Sequence, residues 1–180
     1  MNPSSAGLSL VPLMASLVSG AAFSGWMTSR LKHYKRVALI GVSAASLALF
    51  VLAASANTLP YLALEAFFAV IGAGIGTSFP LVIVSVQNAV RPEHLGVATG
   101  ATTFLRSLGG AMGVSVLSAV FLSYGFAQNA ETAKGLMNLG PRAEGAFSMI
   151  FLTSGIGLVM TTFFLLLMEE KPLRGGPKGG

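Results

Sequence analysis

Five long stretches of this chain carry no Lys, Arg, Asp or Glu: residues 1–29, 37–64, 66–90, 107–130 and 145–168, each at least 24 residues long. A helix needs about 20 apolar residues to cross a hydrocarbon layer of about 30 Å. Backbone amides in lipid must be satisfied within the segment, and these runs are too long and continuous for the 9–11-residue alternating strands of a barrel. The spacing predicts an all-α integral membrane protein, a bundle of five transmembrane helices near 7–28, 37–56, 61–86, 97–123 and 146–168 within residues 1–170. Charged residues make up 9% of the chain, against about 25% in soluble domains, which agrees. The first stretch has no basic leader and a longer apolar run than a secretory signal, so it reads as a span.

The basic residues set the orientation. Arg30, Lys32, Lys35, Arg36, Arg91, Lys171, Arg174 and Lys178 fall on one side, and only Lys134 and Arg142 on the other. By the positive-inside rule the first side is cytoplasmic, with the N-terminus outside and the C-terminus inside. The net charge of +5 is therefore a topology signal. Bases spread this way do not make the clustered face of a nucleic-acid protein, and no nucleic-acid partner is expected.

Three short links predict consecutive helices packed as antiparallel neighbours. The fourth link, about Tyr124–Gly145, reads as an external loop with a short surface helix near 127–137. Glu169 and Glu170 mark the end of the fifth span, and residues 171–180, rich in Gly, Pro and bases, read as a disordered cytoplasmic tail.

Enzyme chemistry finds little support. The chain has no cysteine, and no aspartate occurs in it. His33 and His94 lie in connections, and neither a metal-ligand spacing nor a nucleophile elbow is present. No cofactor or metal is expected. The Gly72–Gly76 run follows no strand, so it is not a dinucleotide loop.

Two spans carry candidate functional residues. In the third, Glu65, Gly72, Gly76, Pro80 and Gln87 fall on one stripe at 100° per residue. The glycines allow close helix approach, and Pro80 frees a carbonyl. Glu65 reads either as a pathway residue or as a group at the wet outer interface. In the fourth, Arg106 lies about 13 Å deep at 1.5 Å per residue. It shares a face with Thr99, Thr102, Thr103, Gly109, Gly110 and Gly113. It reads as a cavity cation that attracts anions or restrains a proton site, or as a structural charge that binds carbonyls or snorkels. Gly96-x-x-x-Gly100 and Gly109-x-x-x-Gly113 match a helix-packing pattern.

Three segments carry a family resemblance. Ser24-Gly-Trp-Met-Thr-Ser-Arg-Leu-Lys-His-Tyr-Lys-Arg36 resembles the basic connecting motif of the major facilitator superfamily. Gly72-Ala-Gly-Ile-Gly-Thr-Ser-Phe-Pro80, with Val86-Gln-Asn-Ala-Val90, is similar to the fourteen-helix drug:proton antiporters of that family, as is the run Leu95–Gly113. The resemblance runs from about Ser5 to Met168. It implies that the five spans are the last five of fourteen, part of the C-terminal half of a major facilitator fold, incomplete and inactive alone. It further implies multidrug efflux of hydrophobic or cationic small molecules, powered by a proton gradient, in a plasma or bacterial inner membrane.

Under this reading Glu65, Gln87 and Arg106 line the substrate pathway. Ser29, Arg30, Lys35, Arg36 and Glu93 form a gating loop, in which Arg30 can pair with Glu93. The glycines at 72, 76, 100, 109, 110 and 113, with Pro80, pack helices. The partners implied are the bilayer and the remaining transporter helices, in the same chain or a separate one. The family usually has Asp near Ser29 and Gly where Lys32 stands, which weakens the expected gate. The alternative is a stand-alone or split membrane subunit with an assembly role.

Overall fold

In a computed structural model of the protein, the residues described are 10–30, 34–55, 59–123 and 140–168. The described residues form five α-helices: α1 (Leu10–Arg30), α2 (Tyr34–Ser55), α3 (Tyr61–Ala89), α4 (Leu95–Phe121) and α5 (Gly140–Leu167). A 3-10 turn, Pro92–His94, leads into α4. All five are long and apolar enough to cross a membrane. The expected external loop, its short surface helix and the tail at 171–180 lie outside the described residues.

Helix ends follow local chemistry. Pro60 precedes α3 with an extended backbone, and its carbonyl accepts the Ala63 amide at 2.9 Å. Val90 closes α3 in an extended conformation, and Arg91 is extended too, as the residue before Pro92 avoids the helical region. The α5 helix begins at Gly140, earlier than the charge-free window indicates. Pro141 is compatible with a first turn, and Arg142 and Glu144 mark where the helix enters the apolar layer, not where it starts.

The packing centres on α3. Its buried residues are Ile71, Gly72, Gly74, Gly76, Thr77 and Leu81. A Cβ on Gly72 or Gly76 would overlap the Leu13 or Leu17 carbonyl of α1, and one on Gly74 would overlap the Gly41 carbonyl of α2. The same helix thus receives α1 on one side and α2 on another, each at backbone contact. Gly20 of α1 meets Ala73 equally closely.

This changes the expected neighbours. Instead of pairing mainly with its successor, α1 packs on α3 and only grazes α2, because the glycine face of α3 offers the closer approach. The α2 helix buries Ala38, Val42, Ala45, Leu49 and Leu52, alternating steps of four and three that keep one face inward. Ala38 and Val42 join Leu81 and Leu165, while Ala48, Leu49 and Leu52 join Ile71, so α2 bridges α3 and α5.

Buried hydroxyls tie the helices through backbone carbonyls. Ser24 Oγ donates to Thr77 O at 2.9 Å, one residue on from the carbonyl that Pro80 leaves without its helical amide. Ser46 Oγ donates to Gly155 O at 3.2 Å, and Ser148 Oγ donates to Ala53 O. Each such bond contributes about 0.5–1.5 kcal/mol. By contrast α4 has no buried residue at all and touches only the edges of α3 and α5.

Candidate functional site between α3 and α4

Because α4 stands off α3, a groove of about 500 Å³ opens between them. The α3 wall carries Ser78, Phe79, Val82, Ile83 and Val86, on a face that adjoins the glycine stripe packed on α1. Thr99, Thr102, Thr103, Leu105 and Arg106 form the α4 wall. Two further grooves of about 410 Å³ have no charged side chain in their walls.

Arg106 is the only charge among the described residues that line the groove. It lies eleven residues beyond the α4 start at Leu95, about 16 Å along the axis and close to mid-depth of a bilayer. Its Cζ stands 5.5 Å from the Phe79 ring centroid, within the range of a cation–π contact. Among the described residues its guanidinium has no carboxylate partner; the ion pair there joins Arg91 to Glu93 at 3.6 Å.

The hydroxyls around it are mostly engaged. Ser78 donates to Ile75 O at 2.6 Å, Thr102 to Ala98 O at 2.8 Å and Thr103 to Thr99 O at 3.0 Å.

The structure separates the three expected pathway residues. Arg106 lines the groove, but Glu65 and Gln87 do not. They lie near opposite ends of α3, about 33 Å apart along its axis. Glu65 is half-buried and Gln87 exposed. The middle of their stripe is occupied, since Gly72 and Gly76 meet α1 and Pro80 faces Gly25. The α4 glycines behave differently. Gly100, Gly109, Gly110 and Gly113 have nothing within 4 Å of the position a Cβ would take.

The connecting-motif residues also part ways. The side chains of Ser29 and Arg30 lie outside the described residues, and Arg36 is exposed on α2. Glu93 pairs with Arg91. Lys35 Nζ donates to Leu166 O at 2.9 Å and Met168 O at 2.5 Å, so it caps the C-terminus of α5, where a cation suits the helix dipole. No group of three metal-ligating side chains occurs among the described residues.

Phe79 escaped the sequence reading, as did the close contacts of Gly20, Gly41 and Gly74. The available signal for Phe79 was its spacing to Val82, Ile83 and Val86, a face of α3 that adjoins the glycine stripe.

Known proteins place this architecture. Residues 1–114 match the family model described as the Major Facilitator Superfamily. A "Tetracycline resistance determinant" of Streptomyces rimosus is 29% identical over 121 residues, 67% of this chain and 35% of that protein. An MFS-type transporter of Mycobacterium tuberculosis is 30% identical over 118 residues, 66% of this chain and 17% of that protein. A "Multidrug transporter protein" of Bacillus subtilis is 27% identical over 120 residues, 67% of this chain and 22% of that protein. The chain therefore spans about a third or less of the length of these relatives. No solved structure matches it. With the family model covering well over half its length, and five long apolar helices packed as a partial bundle, the chain belongs to the Major Facilitator Superfamily.

Proposed function

We propose that the chain acts as the C-terminal part of a multidrug:proton antiporter of the fourteen-helix type. In this reading it exports hydrophobic or cationic small molecules in exchange for protons, with the proton gradient as the energy source. It sits in a plasma or bacterial inner membrane, N-terminus outside and C-terminus cytoplasmic. The observation that carries the reading is the α3/α4 groove, with a cation at mid-depth, beside a helix that its own chain leaves uncovered. An intramembrane charge is expensive unless it faces a polar cavity, and uncovered glycines suit contact with further helices. The printed names of the Streptomyces and Bacillus relatives support a drug-efflux role.

The test joins this chain to the preceding helices of the Streptomyces rimosus relative, giving a completed transporter in a pump-deficient strain. Dye efflux should appear, stop on addition of a protonophore, and fall about tenfold or more with Arg106→Gln at equal protein level. Efflux that ignores both the protonophore and Arg106→Gln would refute the proposal.

A further inference from the structure

The described lining of the α3/α4 groove joins one cation to four hydroxyl groups. Arg106 offers a guanidinium with no ion-pair or hydrogen-bond partner among the described residues. Its Cζ stands over the Phe79 ring at 5.5 Å, and a guanidinium binds carboxylates and sulfonates in paired fashion through its N–H edges. Ser78, Thr102 and Thr103 have spent their hydroxyl protons on helical carbonyls. Thr99, two turns before Arg106 on the same face, has a hydroxyl not engaged in this way. Among the described residues no Asp or Glu lines the groove.

A cationic ligand would meet like charge here and no carboxylate. An anion would meet two donors and relieve an uncompensated charge at membrane depth. The rest of the wall, Phe79, Val82, Ile83, Val86 and Leu105, is apolar, and about 500 Å³ is the size of a small-molecule site.

We propose that this groove is a binding site for amphipathic organic anions, with Arg106 and Thr99 holding the charged group and Phe79 the adjoining ring. The proposal rests on the transport reading above and narrows its substrates to compounds that bear an anionic group, zwitterions included. A cationic end, where a substrate has one, lies outside this groove. Phe79 then selects for an aromatic body beside the anion, because it lines the groove next to the guanidinium.

The same anionic chemistry has a second source, a carboxylate from another transporter helix, and the experiment separates the two. The chain is placed in phosphatidylcholine nanodiscs and titrated with anilinonaphthalenesulfonate and with phenylnaphthylamine, which has the same rings without the sulfonate. Fluorescence is read against empty nanodiscs. Arg106→Gln should weaken sulfonate binding about tenfold or more and leave the neutral probe within about twofold. Arg106→Lys should retain part of the preference. Should Arg106→Gln fail to fold, competition on the unaltered chain decides: octanesulfonate should displace the fluorescent sulfonate and octyltrimethylammonium should not.

Equal weakening of both probes, or equal displacement by both octyl compounds, overturns the anion site. So does loss of sulfonate binding in the completed transporter, which assigns Arg106 to a carboxylate of another helix. Efflux is measured separately. Anion-selective binding in a completed transporter without efflux sinks the transport reading and leaves the site standing. Efflux with no preference for the anionic probe does the reverse.

Discussion

Alanine at Gly20 and alanine at Gly109 should have opposite effects, and the structure says by how much. A methyl at Gly20 would stand 2.8 Å from the Ala73 Cα and 2.9 Å from its carbonyl carbon. That is about 0.7–1 Å inside ordinary carbon–carbon contact, and backbone cannot step aside as a side chain can. The α1 helix must therefore move off α3 by about that distance. Overpacking of this kind costs about 1–3 kcal/mol. One turn along the same face, Ser24 Oγ reaches Thr77 O at 2.9 Å, and a shift of this size takes it out of hydrogen-bond range. That adds about 1 kcal/mol. Set against up to about 1 kcal/mol of helix propensity gained, Gly20→Ala should then destabilise the bundle by about 1–3 kcal/mol.

Gly109→Ala has nothing within 4 Å to strike and gains up to about 1 kcal/mol of helix propensity. The propensity gain is common to both variants, so their difference isolates the α1–α3 contact. The assay is unfolding in mixed micelles titrated with dodecyl sulfate. Circular dichroism reports the bundle, and the single Trp26, half-exposed on α1 with Phe23 at 6.3 Å, reports the departure of α1. Equal destabilisation by the two alanines, or a Gly20→Ala effect under about 0.5 kcal/mol, would refute the packing argument.

Other substitutions test single contacts. Lys35→Met keeps the stem and removes the cap on Leu166 O and Met168 O, costing about 1 kcal/mol after allowance for solvent, and should raise hydrogen exchange in the last turn of α5 about fivefold. Arg91→Ala breaks an ion pair whose side chains are 79% and 64% exposed, so the unfolding midpoint should move by no more than the equivalent of about 0.5 kcal/mol. Ser24→Ala should cost about 1 kcal/mol in the dodecyl sulfate titration, with Trp26 fluorescence changing earlier than circular dichroism as α1 loosens.

The helices were legible because charge is so costly in lipid that its absence over a span-length window leaves few alternatives. Their pairing was less so. Gly72 and Gly76 announced a close-packing face, but nothing in one helix's spacing names its partner, and α1 rather than α2 took that face. Arg106 stood out because a guanidinium at mid-span needs an explanation. Phe79, Gly20 and Gly41 did not, because a phenylalanine or a glycine in a membrane helix has many ordinary uses. Lys35 read as part of a gating loop from its place among four bases, whereas its contact is with α5, 131 residues away in sequence. A loop charge declares its side of the membrane; its partner is decided by the fold.

The central claim is that the α3/α4 groove is a wetted wall of a transport pathway. The chain has no cysteine, so once any cysteine in the joined helices is replaced by serine one introduced thiol gives an unambiguous signal. In the completed transporter, Thr103→Cys on the groove wall and Ile40→Cys on the outer face of α2 would be exposed to a membrane-impermeant thiol reagent, with and without the anionic dye. The account predicts that position 103 reacts, that bound dye slows the reaction, and that position 40 stays silent. Reaction at position 103 only with a lipid-soluble reagent, or at a rate the dye does not change, would contradict it.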